Sequence, residues 1–169
     1  MSRKPCLAEL YHKYLDDQDL AGFIAGVGAR YTPATLERLE SLGVALLGYK
    51  TNHLPAFHSP SSPYPLPARV ESPLEAAQAY KAARSLGLPG ASLVLNPISK
   101  GLDFAQVQRW VEQATQEAAR LGIGGKALTP FLLRRISELS GGQTDEANLR
   151  LLEENARLAA QIALALTQE

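Results

Sequence analysis

Apolar and polar residues along this chain of 169 residues fall into blocks that predict strands and helices in alternation. The segment from Ala91 to Ile98 begins as a continuous apolar run, and this run stops at the Asn96-Pro97 pair. A run of this kind, bounded by turn residues, is typical of a strand buried on both faces, as in the middle of a parallel sheet. Two shorter apolar segments, 21–27 and 44–49, predict two more strands.

Apolar residues spaced three or four apart predict the helices. We expect a short helix over 7–20, and longer ones over 33–42, 73–86, 103–121, 129–139 and 145–166. The predicted start signals are Thr32-Pro33, the capping box Ser72-Pro73-Leu74-Glu75, Asp103 and Thr129-Pro130, and the stop signals are Gly43, Gly87, Gly122 and Gly141-Gly142. In the last helix the predicted buried stripe consists of Leu149, Leu152, Ala156, Ala159, Ala163 and Leu166.

Between the second and third predicted strands lies an aperiodic segment, Lys50 to Pro67, rich in Pro, Ser and His. A loop of this length inside a domain is often functional, and Leu54, Phe57, Tyr64 and Leu66 could anchor it. Strands that alternate with helices predict an α/β sandwich around a parallel sheet. Three strands make a narrow sheet with apolar edges, which indicates a domain that is incomplete.

Composition and charge exclude several classes of protein. Lys plus Arg and Asp plus Glu both number 17, so no basic surplus indicates nucleic acid as a partner. The single cysteine, Cys6, excludes an intramolecular disulfide and a metal cluster built on cysteine.

No apolar stretch approaches the length of a membrane span, and the first residues lack the apolar core of a signal peptide. A cytoplasmic protein is expected.

Asn96 is the first candidate site residue, because it follows a buried strand and ligands bind at the carboxyl ends of strands in open α/β sheets. Its short amide could equally serve only to close a turn. Gly122-Ile123-Gly124-Gly125-Lys126 superficially resembles a nucleotide phosphate loop. Arg120 stands where that motif needs its first glycine, and Ala127 follows the lysine, so a helix end explains these glycines better. Gly26-Val27-Gly28 is a weak phosphate-loop signal.

Other chemistry-bearing residues do not form a catalytic set. The histidines are His12, His53 and His58. His53 and His58 share the long loop with no carboxylate between or beside them, and they are expected to be solvated loop residues rather than a metal pair. Ser59, Ser61 and Ser62 lie among prolines without a nucleophile elbow. Lys50, just past a strand end, could form an imine if it were desolvated, although a solvated lysine is the simpler interpretation.

Several segments together resemble the carboxyl-terminal half of the pseudouridine-5′-phosphate glycosidases, also called the indigoidine synthase A family. They occur in the family's order and spacing from about Pro33 onward. The early ones are Pro33-Ala34-Thr35-Leu36-Glu37, Leu42-Gly43-Val44, Gly48-Tyr49, Thr51, Pro55-Ala56-Phe57, Arg69-Val70-Glu71-Ser72-Pro73, Leu86-Gly87 and Asn96-Pro97-Ile98. The later ones are Gly125-Lys126, Thr129-Pro130-Phe131-Leu132-Leu133, Gly141-Gly142, Asn148 and Asn155-Ala156-Arg157-Leu158-Ala159-Ala160.

The resemblance implies a three-layer α/β/α fold, with 1–20 as an unmatched segment and 21–169 as the carboxyl-terminal part of the family domain. It also implies a homotrimer and the family reaction, reversible cleavage of the C–C glycosidic bond of pseudouridine 5′-phosphate to uracil and ribose 5-phosphate. Family members use an imine-forming lysine, a proton-transferring glutamate and a manganese ion near the phosphate. Asn96 matches the family's substrate-contacting asparagine.

The other functional residues of the family are not matched. Its nucleophilic lysine belongs in an Ala-Gly-Val-Lys segment, where this chain has Ala25-Gly26-Val27-Gly28, or Val27 in an ungapped register. The segment that carries the glutamate and the metal ligand has no counterpart. We therefore expect a truncated family member that binds a sugar phosphate or nucleotide and is inactive as an isolated chain. The alternative is a non-catalytic remnant that binds a sugar phosphate or pairs with a longer relative.

Overall fold

The computed structural model describes residues 33–88 and 91–167. Three strands, β1 (Ala45–Tyr49), β2 (Ala68–Val70) and β3 (Ser92–Leu95), form a parallel sheet in the order β2-β1-β3. All four residues of β3 are buried, which confirms the prediction of a strand covered on both faces. The predicted helix over 7–20, the predicted strand over 21–27 and the proposed cap at Thr32 lie outside the described residues.

Strand β2 is the element that the hydrophobic pattern does not predict. It has only three residues, and Ala68 and Arg69 are exposed while Val70 is buried, so it carries too little alternation to be recognised. Its pairing partner defines it instead, since Leu47 to Tyr49 of β1 run in register with Ala68 to Val70. The segment after the long loop is therefore an edge strand.

The helices are α1 (Pro33–Ser41), α2 (Pro73–Ser85), α3 (Phe104–Arg120), α4 (Leu128–Leu139) and α5 (Gln143–Leu166). Two predicted caps are confirmed: Ser72 Oγ accepts from the Glu75 amide at 3.1 Å, and Asp103 Oδ1 accepts from the Gln106 amide at 2.8 Å. Thr129 is not a cap, because a short 3-10 turn, Gly125–Ala127, leads directly into α4 and places Thr129 inside the helix.

Helices cover both faces of the sheet, which confirms the α/β class. On one face, residues of all three strands pack against α2 and α5, and the cluster is Leu47, Val70, Ala76, Ala77, Val94, Leu158, Ile162 and Ala165. On the other face, α1 and Leu54 of the long loop pack against Leu46, Leu93 and Leu95. The pair α3 and α4 packs together and joins the domain through contacts between α4 and α5.

The predicted buried stripe of α5 is wrong. Leu149 and Leu152 are 62% and 59% exposed, and the buried side chains are Thr144, Ala147, Leu151, Asn155, Leu158, Ile162 and Ala165. Both sets recur at helical spacing, so periodicity alone cannot choose between them. The helix is apolar on two sides, and the docking of α2 and the sheet decides which side is buried. Leu121, which the sequence places at the end of the helix predicted over 103–121, directly follows α3 and is 66% exposed.

The long loop folds back over the end of β1. Leu54 is 1% exposed, and its amide donates to the Tyr64 carbonyl at 2.9 Å, so this predicted anchor is confirmed. Lys50 adopts a left-handed conformation with φ of 54°. A Cβ on Gly48 would lie 2.2 Å from the Thr51 carbonyl oxygen, so only glycine permits this return of the chain. Within the described ranges, no helix is both long and apolar enough to span a bilayer.

Candidate functional site at the carboxyl edge of the sheet

The strand order creates a topological switch point between the carboxyl ends of β1 and β3, which we call the crevice. The chain leaves β1 towards β2 on one side, and β3 then pairs with β1 on the other side. In parallel sheets the crevice between two strands whose connections depart in opposite directions is the usual ligand site. Lys50 follows β1 and Asn96 follows β3, so the sequence-predicted residue lies at this point.

Asn96 is half-buried, and its amide is held by a residue far away in the chain. Its Nδ2 donates to Oδ1 of Asn155 at 3.0 Å, across 59 positions of sequence. Asn155 is 7% exposed and lies in the middle of the buried stripe of α5. A buried amide loses its contacts with water, and this hydrogen bond compensates part of that loss. Asn96 is therefore one half of a polar pair whose other half, Asn155, is buried.

Helix α5 also fixes the loop that follows Asn96. Glu154 accepts from the Ser99 amide at 3.0 Å and from the Ser99 hydroxyl. One turn earlier, Arg150 donates to the Lys100 carbonyl at 2.8 Å. These contacts come from residues one turn apart on the same face of α5, so the helix holds the loop after β3 at two points.

An apolar contact beneath the loop reinforces these hydrogen bonds. Ile98 is 2% exposed and packs with Ala147 and Leu151 of α5. Gly101 lies so close to the long loop that a Cβ there would be 2.7 Å from the His58 carbonyl oxygen. The Leu102 amide donates to the same carbonyl at 2.7 Å. The long loop, the loop after β3 and α5 thus form one packed corner.

Charged side chains lie within or directly after the other two strands at this edge. Arg69 Nε contacts Glu71 Oε1 at 2.5 Å, and both side chains are exposed. The hydrogen bond from Arg69 lowers the pKa of Glu71, and the charges of Arg69 and Lys50 add to this effect. Lys50 is exposed, with its Nζ 5.2 Å from the ring centre of Tyr49. The carboxyl edge of the sheet thus carries cations and a carboxylate as well as the amide of Asn96.

A separate cavity of about 330 Å³ lies at the amino-terminal end of α5 and is lined by His58, Leu133, Arg134, Ser137, Glu138, Thr144, Asp145 and Asn148. Asp145 and Asn155 are ten residues apart on α5, which corresponds to about 15 Å along a helix. The cavity is therefore distinct from the crevice at Asn96. It contains side chains of both charges, and it shares no lining residue with the carboxyl edge.

His58 differs from the prediction of a solvated loop histidine. It is 6% exposed, and its ring lies 4.1 Å from that of Phe57. Two hydrogen bonds between the backbones of Ala56 and Ser59 close a tight turn there and direct the ring inward. Burial lowers the pKa of His58 to about 4, against a smaller opposing effect of the Asp145 charge. His53 is exposed, as predicted.

The remaining sequence candidates do not form a site among the described residues. Gly122 has φ of 66° directly after α3, which agrees with a helix end rather than a phosphate loop that follows a strand. Ser59 and Ser62 are buried at 0% and 7% exposure. Within 33–88 and 91–167, no group of three His, Cys, Asp or Glu side chains could share a metal ion. Gly26, Val27, Gly28 and His12 lie outside the described part of the chain.

Sequence reasoning identified Asn96 as a candidate but missed Asn155, which holds its amide, and Arg150 and Glu154, which hold the loop that follows it. One signal was available. Thr144, Ala147, Leu151, Asn155, Leu158, Ile162 and Ala165 recur at helical spacing, and an asparagine within an otherwise apolar stripe indicates a buried amide that needs a partner. The identity of that partner depends on how α5 lies across the sheet.

Comparison with known proteins agrees with this architecture. The family model described as "Indigoidine synthase A like protein" matches residues 15–165. The chain is 64% identical over 133 residues to a pseudouridine-5′-phosphate glycosidase from Thermus thermophilus, covering 79% of this chain and 47% of that protein. Among relatives of this kind, the chain spans about half of the length of the curated proteins it matches.

Two solved structures share the fold. One is the prealnumycin C-glycosynthase AlnA in complex with ribulose 5-phosphate, with a TM-score of 0.72 and 32% identity over 79% of this chain and 44% of that one. The other is an indigoidine synthase A-like protein from Thermotoga maritima, with a TM-score of 0.70 and 36% identity over 80% and 45% of the two chains. The chain therefore belongs to the indigoidine synthase A-like family, which includes the pseudouridine-5′-phosphate glycosidases.

Proposed function

We propose that this chain forms one wall of the active site of a pseudouridine-5′-phosphate glycosidase, and that Asn96 contacts the sugar phosphate there. The observation that carries the proposal is the Asn96–Asn155 pair at the carboxyl edge of the sheet. It is supported by 64% identity to a protein named for this activity. A structural relative was solved with ribulose 5-phosphate bound, which supports a sugar phosphate as the class of ligand.

The proposed reaction breaks a C–C bond, and this demands an electron sink such as an imine between the sugar and a lysine. The family resemblance places that lysine where this chain has Gly28 or Val27. Lys50 lies at the right edge of the sheet, but it is exposed, and imine-forming lysines are activated by desolvation. We therefore propose that the isolated chain binds a sugar phosphate without cleaving pseudouridine 5′-phosphate.

The described residues do not provide a manganese site. Glu71 is paired with Arg69, and Glu154 is occupied by the amide and hydroxyl of Ser99. In the described part of the chain, neither carboxylate belongs to a group of three carboxylate, histidine or cysteine side chains that could hold a metal ion. No step of the proposed mechanism is therefore routed through a metal. The part proposed for this chain is binding and orientation of the sugar.

Turnover and complementation test the enzymatic role. The chain is incubated with pseudouridine 5′-phosphate and manganese, and uracil is measured by chromatography, with the full-length Thermus thermophilus relative as positive control. We expect no uracil from the chain alone. We expect uracil release when the chain is co-expressed with the portion of that relative which it does not cover, and loss of this activity with Asn96→Ala. Clear turnover by the chain alone, or a borohydride-trapped adduct on Lys50, would refute the proposed inactivity.

Binding tests the site directly. Titration of the chain with ribose 5-phosphate, followed by calorimetry, should give a saturable signal. Asn96→Ala should weaken it about tenfold, which is the typical effect of removing one buried hydrogen-bonding group. Asn52→Ala is the matched control, because Asn52 is an exposed loop asparagine whose backbone rather than side chain holds the loop. Equal affinities of Asn96→Ala and the wild type would exclude Asn96 from the site.

A further inference from the structure

Asn155 is an unusual residue for its position on α5. It lies between Leu151 and Leu158 on the buried stripe, and both leucines are 5% exposed. A leucine at this position would continue the apolar pattern. The asparagine instead directs its side-chain oxygen at the Asn96 amide, 3.0 Å away. Its side chain therefore has a specific polar partner at the proposed ligand site.

We propose that Asn155 is a positioning residue that locks the Asn96 amide, so that Asn96 Oδ1 faces the crevice and accepts a hydrogen bond from a hydroxyl of the sugar phosphate. This inference rests on the proposed function. An amide group can rotate by half a turn and exchange its donor for its acceptor. In the structure Asn155 directs its Oδ1 at Asn96 Nδ2, and with Asn155 in this orientation only one of the two orientations of Asn96 forms the hydrogen bond. Asn96 Oδ1 then points away from α5.

The locked orientation determines which part of a ligand Asn96 can recognise. A carbonyl oxygen accepts hydrogen bonds only, and an ionised phosphate has only acceptors to offer. Asn96 Oδ1 is therefore matched to the hydroxyls of the sugar and mismatched to its phosphate. An amide that is free to rotate could present its donor to the phosphate or its acceptor to a hydroxyl, so it would not discriminate between them. Asn155 thus makes Asn96 selective for a hydrogen-bond donor.

The positioning role of Asn155 is separable from the support of the loop. Glu154 and Arg150 hold the backbone of Ser99 and Lys100, and Ile98 packs against α5 below them. None of these contacts involves the Asn155 side chain. Replacing Asn155 by leucine, which has a similar volume, should keep the loop attached while removing the amide that accepts from Asn96. We therefore expect this substitution to change the affinity for the sugar phosphate only through its effect on Asn96.

A double-mutant cycle tests this dependence. Affinity for ribose 5-phosphate is measured for the wild type, Asn96→Ala, Asn155→Leu and the double variant. We expect about a tenfold loss for Asn96→Ala and about a fivefold loss for Asn155→Leu, with no further loss in the double variant. Asn155→Asp, which keeps an acceptor oxygen, should restore most of the affinity. Losses that multiply in the double variant would overturn the proposal, because Asn155 would then act independently of Asn96.

The orientation is also tested without ligand. In NMR spectra of the wild type, we expect the side-chain amide protons of Asn96 to be protected from solvent exchange, and this protection should disappear in Asn155→Leu. Gln161→Leu, an exposed amide on the same helix, is the matched control and should leave it unchanged. Protection that persists in Asn155→Leu would overturn the positioning role. If the wild type binds no ribose 5-phosphate, the proposed function fails, and the exchange experiment still decides the orientation.

Discussion

The buried histidine of the long loop should make the stability of the domain depend on pH in a specific window. His58 has a pKa of about 4 in the folded chain, because burial disfavours its charged form, against 6.5 when it is solvated. Above pH 6.5 the ring is neutral in both states and stability does not depend on it. As the pH falls below 6.5 the unfolded chain binds a proton that the folded chain excludes, so the free energy of unfolding decreases.

The size of the effect follows from the two pKa values. The loss accumulates between pH 6.5 and about 4, and at about 1.4 kcal/mol for each pH unit it reaches about 3 kcal/mol. Below pH 4 His58 adds nothing further, since both states then bind the proton. A loss of this size is a large fraction of the stability of about 5–15 kcal/mol that is typical of a domain.

Urea unfolding followed by circular dichroism at pH 7, 6, 5 and 4 measures this loss. His58→Gln removes the titrating ring, so its free energy of unfolding should fall less steeply with decreasing pH than that of the wild type. Carboxylates contribute equally to both proteins, and the difference in slope isolates His58. His53→Gln, on the exposed part of the same loop, controls for loss of a histidine. Identical pH profiles of the wild type and His58→Gln would refute the reasoning.

Two further predictions concern the packed corner and the helix that follows it. Gly101→Ala should lower the free energy of unfolding by about 1–3 kcal/mol, because the new Cβ would lie 2.7 Å from the His58 carbonyl oxygen. Gly124→Ala is the control, since a Cβ there would meet open space. Equal urea midpoints of the two variants would contradict the predicted clash. Asp103→Ala should lower the free energy of unfolding by about 1 kcal/mol, because it removes the acceptor for the Gln106 amide. An unchanged thermal midpoint would show that this cap does not contribute to stability.

Local signals in the sequence correctly predicted most of the elements that the structure describes. Ser72 and Asp103 are N-caps, and Gly43, Gly87 and Gly122 end helices with positive φ values, because these roles depend on a few neighbouring backbone groups. The buried character of β3 was equally clear from its composition. The position of Asn96 at the carboxyl end of that strand followed from the same run of residues.

What sequence pattern could not decide depends on contacts between distant segments. Strand β2 exists because β1 supplies its partners, and the buried side of α5 is chosen by the sheet and α2 rather than by spacing. His58 is buried because the loop turns inward at Phe57, whose φ is 56°.

The pairing of Asn96 with Asn155 shows the same division most clearly. The sequence by itself determined that an amide would follow β3, but it did not identify the buried side of α5 on which Asn155 lies. Only the tertiary structure brought the two within 3.0 Å across 59 positions. Hydrophobic packing of α5 on the sheet set that distance, because burial is non-directional and acts on whole faces. The hydrogen bond joins two groups that this packing places together.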